Sequence, residues 1–220
     1  MKKILCILLL LPLFITAQDT LQHRLTGITG GVDICSRFSK ADDAVSEMKN
    51  EFDSLESGRF GYSAGIVAGF RINERIDLLS GLNFAARGYK IDTLAAAGFV
   101  NMKFSYKYIE LPVRIVYTLQ NGKKIQPLGS IGVAFSYLLQ HKTYYELDGS
   151  ADRNTYNDEQ SMSSLNVSLS ASLGFRTAIQ RGYFFQCEAV VRQSVTALSD
   201  TPLRRYLNSG GIGLSLIRAF

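Results

Sequence analysis

The sequence predicts an all-β protein: an eight-stranded, antiparallel, up-and-down transmembrane β-barrel that follows a signal peptide. Three observations support this prediction. Apolar and polar residues alternate over stretches long enough to cross a membrane, long and tight connections alternate between these stretches, and the one long apolar run is confined to the N-terminus.

The clearest strand covers residues 165–176. Its odd positions are apolar and its even positions are small or polar, which is the period-two pattern of a strand with two different faces. A strand of a soluble sandwich usually has about five or six residues, whereas a strand that crosses a bilayer at a tilt needs roughly 9–11. The apolar face is therefore predicted to meet lipid and the polar face a lumen.

The N-terminus has the pattern of a targeting segment. Two lysines precede an apolar run over 4–15, and a small-residue cleavage site ends at Ala17. The run is too short for a membrane helix and matches a signal peptide. We therefore expect residues 1–17 to be a signal peptide and residues 18–220 to form an outer-membrane β-barrel domain.

Composition agrees with a barrel but does not require one, because a hydrophobic fraction of 46% is also ordinary for soluble all-β proteins. The net charge of +5 comes from scattered basic residues, which gives no indication of nucleic-acid binding. Cys35 and Cys187 remain after cleavage. A secreted compartment permits a disulfide, but free thiols are favoured, because both cysteines fall inside strands that are not sequence neighbours.

Eight strands follow from the alternation. In chain order they are 25–35, 60–72, 75–91, 101–119, 124–141, 165–176, 183–194 and 207–220. The apolar faces of the first four carry Ile28, Val32 and Ile34; Tyr62, Ile66 and Phe70; Ile76, Leu82 and Phe84; and Ile109, Leu111, Val113 and Ile115. Those of the last four carry Ile131, Val133, Phe135 and Tyr137; Leu165, Val167 and Leu169; Tyr183, Phe185 and Val191; and Ile212, Leu214 and Leu216.

Pro112 lies inside the fourth predicted strand. Because proline has no backbone N–H to donate, a bulge or a local break in the ladder is expected there.

The connections between these strands alternate in length. Tight turns are predicted at Asn73-Glu74, Asn121-Gly122 and Arg181-Gly182, and longer polar loops over 36–59, 92–98, 142–161 and 195–206, the first with a possible helical turn around 44–55. Outer-membrane barrels combine short periplasmic turns with longer external loops, whereas a soluble sandwich has no reason to follow this alternation. Both termini are expected to face the periplasm.

Several charged residues of the strands fall on the inward face. They are Arg71, Arg87, Glu110, Arg114, Arg176, Glu188 and Arg192, together with Asp33 and Asp77. The interior of an eight-stranded barrel is just wide enough for side chains to fill, and charges in such a space must be paired. The expected result is a polar plug, with Glu110 and Arg114 within reach of a shared network; the alternative is a narrow ion path or gate.

The sequence offers little for catalysis. It contains no metal-ligand spacing, phosphate loop or nucleophile elbow, so neither a metal nor a cofactor is predicted. His141 is followed by Lys142-Thr143, which does not match the His-x-Ser motif of lipid-modifying barrel enzymes, and we interpret it as a rim histidine that contacts headgroups. The acidic segment 42–56 and three loop tyrosines, Tyr144, Tyr145 and Tyr156, could form binding surfaces or could simply be solvated.

Three stretches of the predicted strands form motifs. They are Gly81-Leu82 followed by Arg87-Gly88, then Tyr108-Ile109-Glu110-Leu111-Pro112, and Leu128-Gly129 with Gly132. Together they resemble the small eight-stranded outer-membrane β-barrel proteins of Bacteroidetes, the PorT-like group related to type IX secretion. The resemblance implies a barrel over the whole mature chain and an aromatic C-terminal insertion signal at Phe220, from whose pattern Arg218 departs.

The predicted function is that of a non-enzymatic, integral outer-membrane barrel with a filled, non-conducting lumen. It would be a structural or assembly component with binding loops outside, and its partners would be outer-membrane lipid and other outer-membrane or secretion components, not nucleic acid. One alternative is a PorT-like component of type IX protein secretion. A more distant alternative is a lipid-modifying enzyme.

Overall fold

The computed structural model describes residues 23–41, 55–94, 99–119, 124–147, 153–156, 162–180, 182–198 and 203–220. In these ranges nine strands form one antiparallel sheet: β1 (His23–Ala41), β2 (Glu56–Arg71), β3 (Ile76–Leu94), β4 (Phe99–Thr118), β5 (Ile125–Leu147), β6 (Arg153–Tyr156), β7 (Leu165–Gln180), β8 (Tyr183–Ser194) and β9 (Leu203–Ala219). The strand order is β4-β3-β2-β1-β9-β8-β7-β5-β6, and β4 also pairs with β5. Eight strands therefore close an up-and-down barrel, which confirms the predicted fold class, and β6 adds a short ninth strand beside β5.

The turns at Asn73 and Gly182, the start of β1 and the end of β9 lie at one end of the barrel, the turn end. Between β2 and β3, Asn73 Oδ1 accepts hydrogen bonds from the backbone N–H groups of Arg75 and Ile76, at 2.9 and 2.8 Å. Before β8, Gly182 has a φ of 84°, a left-handed conformation that favours glycine. The backbone N–H of Phe220 donates to the Arg24 carbonyl at 2.9 Å. The predicted Asn121-Gly122 turn lies outside the described residues.

The strands extend further toward the opposite end, the loop end, than the sequence predicted. β1 continues to Ala41 and β5 to Leu147, and β6 lies inside the predicted loop 142–161. Tyr144, Tyr145 and Tyr156 are consequently strand residues, not loop residues. Beyond the lipid, outward positions need not be apolar, so the hydrophobic alternation ends while strand pairing continues. The helical turn considered around 44–55 lies almost wholly outside the described residues.

An apolar belt surrounds the barrel. On β4 and just after it, the outward residues between Ile109 and Leu119 are apolar or aromatic and exposed, whereas Lys107 is the next outward residue toward the loop end. At the usual strand rise and tilt, this segment spans about 25 Å of bilayer. Aromatic residues lie near both edges of the belt, including Tyr62, Phe84 and Tyr137 toward the loop end and Tyr117, Phe175 and Phe220 toward the turn end. Such girdles are typical of the interfaces of a membrane barrel.

The β3–β4 ladder has the local break predicted at Pro112. Pairing runs to Ser80 opposite Val113 and resumes at Asn83 opposite Glu110 with the same register. Leu111 and Pro112 are skipped on this side because proline has no N–H to donate. The break therefore weakens one ladder locally without changing which face the following residues occupy.

A β-bulge in β5 changes the faces of the residues that follow it. Tyr108 pairs with Leu138, but the next residue of β4, Lys107, pairs with Gln140, so Leu139 is an extra residue. Because strand side chains alternate with period two, one extra residue exchanges inward and outward positions. His141 therefore faces the lumen and not the outer surface.

On the outer face, an arginine is expected to be most damaging in the middle of the belt. The outward residues of β7 that face the belt run from Leu165 to Phe175, and Leu169, which is 50% exposed, is central because it pairs with Val133, which lies opposite Val113. Leu169→Arg should lower the free energy of unfolding by about 2–4 kcal/mol, whereas Ile179→Arg, beyond Phe175 at the edge, should cost about 0–1 kcal/mol. Urea titration of the barrel in phospholipid vesicles measures both; equal losses would contradict this membrane position.

Candidate functional site in the barrel lumen

The inward charged residues form two hydrogen-bonded groups. We name the first, toward the loop end, the Glu110 layer; it consists of Asp33, Arg87, Glu110, Ser136 and Arg192. We name the second, toward the turn end, the Glu188 layer; it consists of Arg71, Asp77, Arg114, Ser172, Arg176, Gln186 and Glu188. Each layer joins residues from strands that are not all neighbours, so it crosses the lumen.

Glu110 is the centre of the first layer and is fully buried. Both of its oxygens accept hydrogen bonds from Arg87, and Oε2 also accepts from Arg192 Nη1 at 3.2 Å. Ser136 Oγ donates to Oε1 at 3.0 Å, and Arg87 Nε donates to Asp33 Oδ2 at 3.1 Å. Two arginines thus face two carboxylates, and the formal charges of the layer cancel. Charge-assisted contacts of this kind are needed to offset the desolvation of buried ions.

Glu188, on β8, is the main hydrogen-bond acceptor of the Glu188 layer. Its Oε2 accepts hydrogen bonds from Arg114 Nη1 at 3.0 Å and Gln186 Nε2 at 2.7 Å, and its Oε1 accepts one from Ser172 Oγ at 2.5 Å. Arg114 lies on β4, across the lumen from β8. The Arg114–Glu188 ion pair therefore joins two walls of the barrel that share no strand ladder.

Arg176 connects this group to the turn end. Its Nε and Nη2 donate to Gln186 Oε1 at 3.1 and 2.9 Å, and its Nη1 donates to Asp77 Oδ2 at 2.5 Å. Asp77 also accepts from its cross-strand neighbour Arg71 at 3.0 Å. The five arginines and four carboxylates expected to point inward therefore all form ion pairs.

Glu110 and Arg114 do not meet, contrary to the expectation of a shared network. Glu110 binds Arg87 and Arg192, whereas Arg114 binds Glu188. Positions four apart on one strand lie on the same face, but the partners come from other strands: Glu110 is bonded to Arg87 of the neighbouring β3 and to Arg192 of β8, and Arg114 to Glu188 of β8. The result is two separate layers, not one.

A cavity of about 80 Å³ lies between the two layers. Its lining includes Asp33 and Arg192 from one layer and Arg114 and Glu188 from the other. Serine and threonine hydroxyls provide much of the remaining wall, from Thr29, Ser63, Ser80, Ser130, Ser170 and Ser215. A space of this volume with polar walls could accommodate roughly five water molecules.

Two apolar clusters, which the sequence did not predict, complete the filling. An aliphatic cluster occupies the turn-end half and consists of Leu25, Val67, Leu79, Val116, Leu128 and Ile217. An aromatic cluster closes the loop end and consists of Tyr89, Phe104, Tyr106, Tyr108 and His141, with Cys35 against it. In the sequence, Phe104, Tyr106 and Tyr108 alternate with outward residues that include lysines. This pattern could have predicted that the aromatic side chains point inward and form the second cluster.

The aromatic cluster is tightly stacked. The rings of Tyr89 and Phe104 have centroids 4.5 Å apart, and those of Tyr106 and His141 are 4.8 Å apart and inclined by 8°. The Arg37 guanidinium lies 5.0 Å from the Tyr89 centroid, within cation–π range. Tyr89 and Tyr106 have no solvent exposure, so packed rings occupy the lumen toward the loop end.

The interpretation of His141 as a rim residue is wrong. The β5 bulge turns it inward, where it is 2% exposed and stacked between aromatic rings. Its Nε2 lies 3.3 Å from Thr143 Oγ1. A histidine in this position cannot contact headgroups on the outer surface.

Two of the three predicted motifs meet in the Glu110 layer, whereas Leu128 of the third belongs to the aliphatic cluster. Arg87 of the first motif and Glu110 of the second form its central ion pair. Gly88 allows a close strand approach, since a Cβ there would collide with the Phe104 carbonyl oxygen. These motif residues therefore have a structural explanation within the lumen and do not by themselves indicate a partner.

Cys187 and the C-terminus lie outside this network, whereas Cys35 Sγ donates to Asp33 Oδ1 of the Glu110 layer at 3.5 Å. Cys35 and Cys187 are free thiols, the first buried in the lumen and the second half-buried on the outer face. Arg218 lies with its guanidinium 5.4 Å from the Tyr183 ring centroid and 4.3 Å from that of Phe220. Its charge is thus placed among the aromatic residues at the turn-end edge of the belt.

The geometry defines a membrane barrel of the outer-membrane type: an apolar belt with aromatic edges around a polar, filled lumen. Residues 16–198 match the family model of the outer membrane protein beta-barrel domain. The chain belongs to this family and is an outer-membrane protein. No curated protein matches the chain.

Solved structures share the fold at low sequence identity. A major outer membrane protein from Thermus thermophilus is 12% identical, with a TM-score of 0.51 over 90% of this chain and 100% of that one. The outer membrane protein OprG from Pseudomonas aeruginosa is 12% identical, with a TM-score of 0.48 over 91% and 97%. Neisserial surface protein A is 14% identical, with a TM-score of 0.41 over 86% and 96%. At such identities the likeness concerns architecture alone.

Proposed function

We propose that this protein is a non-conducting outer-membrane barrel that acts as a structural or assembly component and presents its loop end for binding. The observation that carries this proposal is the filling of the lumen by two paired charged layers and the aromatic cluster. A pore needs a continuous polar path, and here buried rings close one end. The protein therefore offers the membrane a rigid body and not a route for solutes.

The extension of the strands beyond the belt supports a binding role. Outward lysines replace apolar residues from Lys107 onward, yet β4 continues to Phe99 and β5 to Leu147, with β6 paired against it. The aromatic cluster fills the inside of this extension. Binding residues are often carried by loops on a rigid scaffold, and this end has the required rigidity.

Extraction of the tagged protein from its native outer membrane in mild detergent tests the assembly role. We expect a partner at equal stoichiometry, and we expect to lose it when residues 148–161 are replaced by a glycine-serine segment of equal length. The same replacement at 199–202 is the matched control and should retain the partner. A lone, heat-modifiable monomer would exclude the assembly role and leave a freestanding structural barrel.

A PorT-like role in type IX secretion is the second candidate. It is supported by the Tyr108-to-Pro112 motif together with Arg87-Gly88, although both have a structural role in the lumen. If this candidate is correct, the co-purified partner is a secretion component and deletion of the gene abolishes secretion of that system's cargo. Normal secretion in the deletion strain would exclude it.

A lipid-modifying activity is the least supported candidate, because His141 is buried in the aromatic cluster. Incubation of the purified barrel with labelled lipid A should give no product.

The cleavage of the signal peptide is also a proposal. N-terminal sequencing of the mature protein tests it, and we expect Gln18 as the first residue.

A further inference from the structure

Four lysines cluster on the outer face of the barrel at the loop end. Lys90 of β3 lies directly opposite Lys103 of β4 in the strand register. Lys142 of β5 lies opposite Ser105, which is two residues from both Lys103 and Lys107. We name Lys90, Lys103, Lys107 and Lys142 the lysine patch.

The lysine patch faces outward and not into the lumen. The inward neighbours on β4 are Phe104, Tyr106 and Tyr108, which are 7%, 0% and 2% exposed. The lysines between and beside them are partly exposed. On β5, the bulge at Leu139 is what places Lys142 on the outside, because it also turns His141 inward.

Three of the four lysines, Lys103, Lys107 and Lys142, have no compensating carboxylate among the described residues. Like charges directly opposite on neighbouring strands are destabilising. Among the side chains that the structure describes, the carboxylates toward the loop end, Asp33, Glu56 and Glu110, are bonded to arginines. A concentrated positive charge of this kind is suited to an external anion.

The position of the patch relative to the belt identifies the kind of anion. Lys107 follows Ile109, the last apolar outward residue of β4, and Tyr62, Phe84 and Tyr137 lie on neighbouring strands at this edge. This is the depth at which lipid headgroups meet the hydrocarbon, and lysine side chains extend to charged groups there. Soluble anions have no reason to prefer this depth.

The patch is separated from another basic residue on the outer face at the loop end, the exposed Arg204 of β9. The outward residues near the loop-facing ends of the intervening strands β7 and β8 are Ser164, Gln193 and Val195, which carry no charge. Between the lysines, Gly88 is buried beneath the guanidinium of Arg59, whose Nη1 donates to the Phe104 carbonyl at 2.9 Å. Arg59 therefore adds a fifth basic group beside the four lysines.

We propose that the lysine patch is a binding site for the phosphate groups of a phosphorylated lipid in the external leaflet. The acyl chains of this lipid would lie along the apolar belt beneath Lys107, and its phosphates would be shared among the lysines. The site is separate from the lumen and goes beyond the structural role proposed above. It would fix the rotational orientation of the barrel relative to its lipid neighbours.

Lipid titration of three detergent-solubilised proteins tests this proposal. They are the wild type, the patch variant K103Q/K107Q/K142Q, and the charge-matched control R75Q/K124Q/R204Q, whose three sites are exposed and outside the patch. The probe is radiolabelled lipid A with both phosphates, compared with the same lipid after phosphatase treatment. Removing a lysine near an anionic headgroup should weaken binding about fivefold, so the patch variant should bind about 100-fold more weakly. The control should bind like the wild type.

Four outcomes would overturn the proposal. The patch variant could bind as well as the wild type, the control could lose as much affinity, or the dephosphorylated lipid could bind equally. Displacement of the lipid by an equal concentration of inorganic phosphate would also contradict it, because the site would then take free anions. Heat-modifiable gel mobility confirms that each variant is folded, so a loss of binding cannot be attributed to unfolding.

Discussion

Replacing Glu110 by alanine should lower the free energy of unfolding by about 3–5 kcal/mol, the usual effect of removing one partner of a buried ion pair. The substitution leaves Arg87 and Arg192 without the carboxylate they share and removes the acceptor of Ser136. Urea titration in phospholipid vesicles measures the loss. The temperature at which the folded band converts on a gel should fall as well.

Two comparisons isolate the ion pairs as the cause. Ser136→Ala removes a single neutral donor to Glu110 and should cost only about 1 kcal/mol. In the double variant with Arg192→Ala, the losses should be less than additive, because Glu110 and Arg192 are direct partners. The alanine variant should still not conduct, since the Glu188 layer and the aromatic cluster remain. A Glu110→Ala barrel as stable as the wild type would contradict the structural role of the layer.

Replacing Tyr106 by alanine should destabilise the barrel by a similar amount, about 3–5 kcal/mol, because it opens a cavity in a packed cluster. Tyr106 has no solvent exposure and stacks on His141 at 4.8 Å. The same change should unseal the loop end and expose Cys35, which lies in this cluster. In a Cys187→Ser background, a water-soluble maleimide should label Cys35 slowly in the parent protein and much faster in the Tyr106→Ala variant.

The matched control for this variant is Tyr137→Ala. Tyr137 is also a tyrosine near the loop-end edge of the belt, but it faces outward and is 53% exposed. It should lose less stability and leave the Cys35 labelling rate unchanged. Rapid labelling of Cys35 in the folded parent would show that the aromatic cluster does not seal the lumen.

The features that the sequence predicted correctly all depend on the alternation and turn chemistry along single strands. The outward faces, such as Ile109 to Leu119, could be read directly because lipid selects apolar residues at every second position. The tight turn at Asn73 and the left-handed φ at Gly182 could be read because few residue types satisfy those conformations. Such features can be predicted because they depend only on a few residues that are close in the sequence.

The features that were missed depend on contacts that only barrel closure creates. Arg114 forms an ion pair with Glu188 across the lumen. The spacing within β4 places Glu110 on the same face as Arg114 but does not indicate that Glu188 is the partner. The extra residue at Leu139 is an ordinary leucine in the sequence, yet it decides that His141 is buried. The strand extensions past the belt were not predicted. Where the outer face of a strand meets water, its outward residues need not be apolar, so the alternation of apolar and polar residues ends.

Single-channel recording in a planar lipid bilayer tests the filled lumen most directly. The purified, refolded barrel is added at symmetric high salt, and current is followed under an applied voltage. We expect insertion without current steps, because the two charged layers and the aromatic cluster fill the lumen with paired ions and packed rings. Regular, voltage-sustained conductance steps from the folded wild-type protein would contradict the filled lumen and the non-conducting role proposed from it.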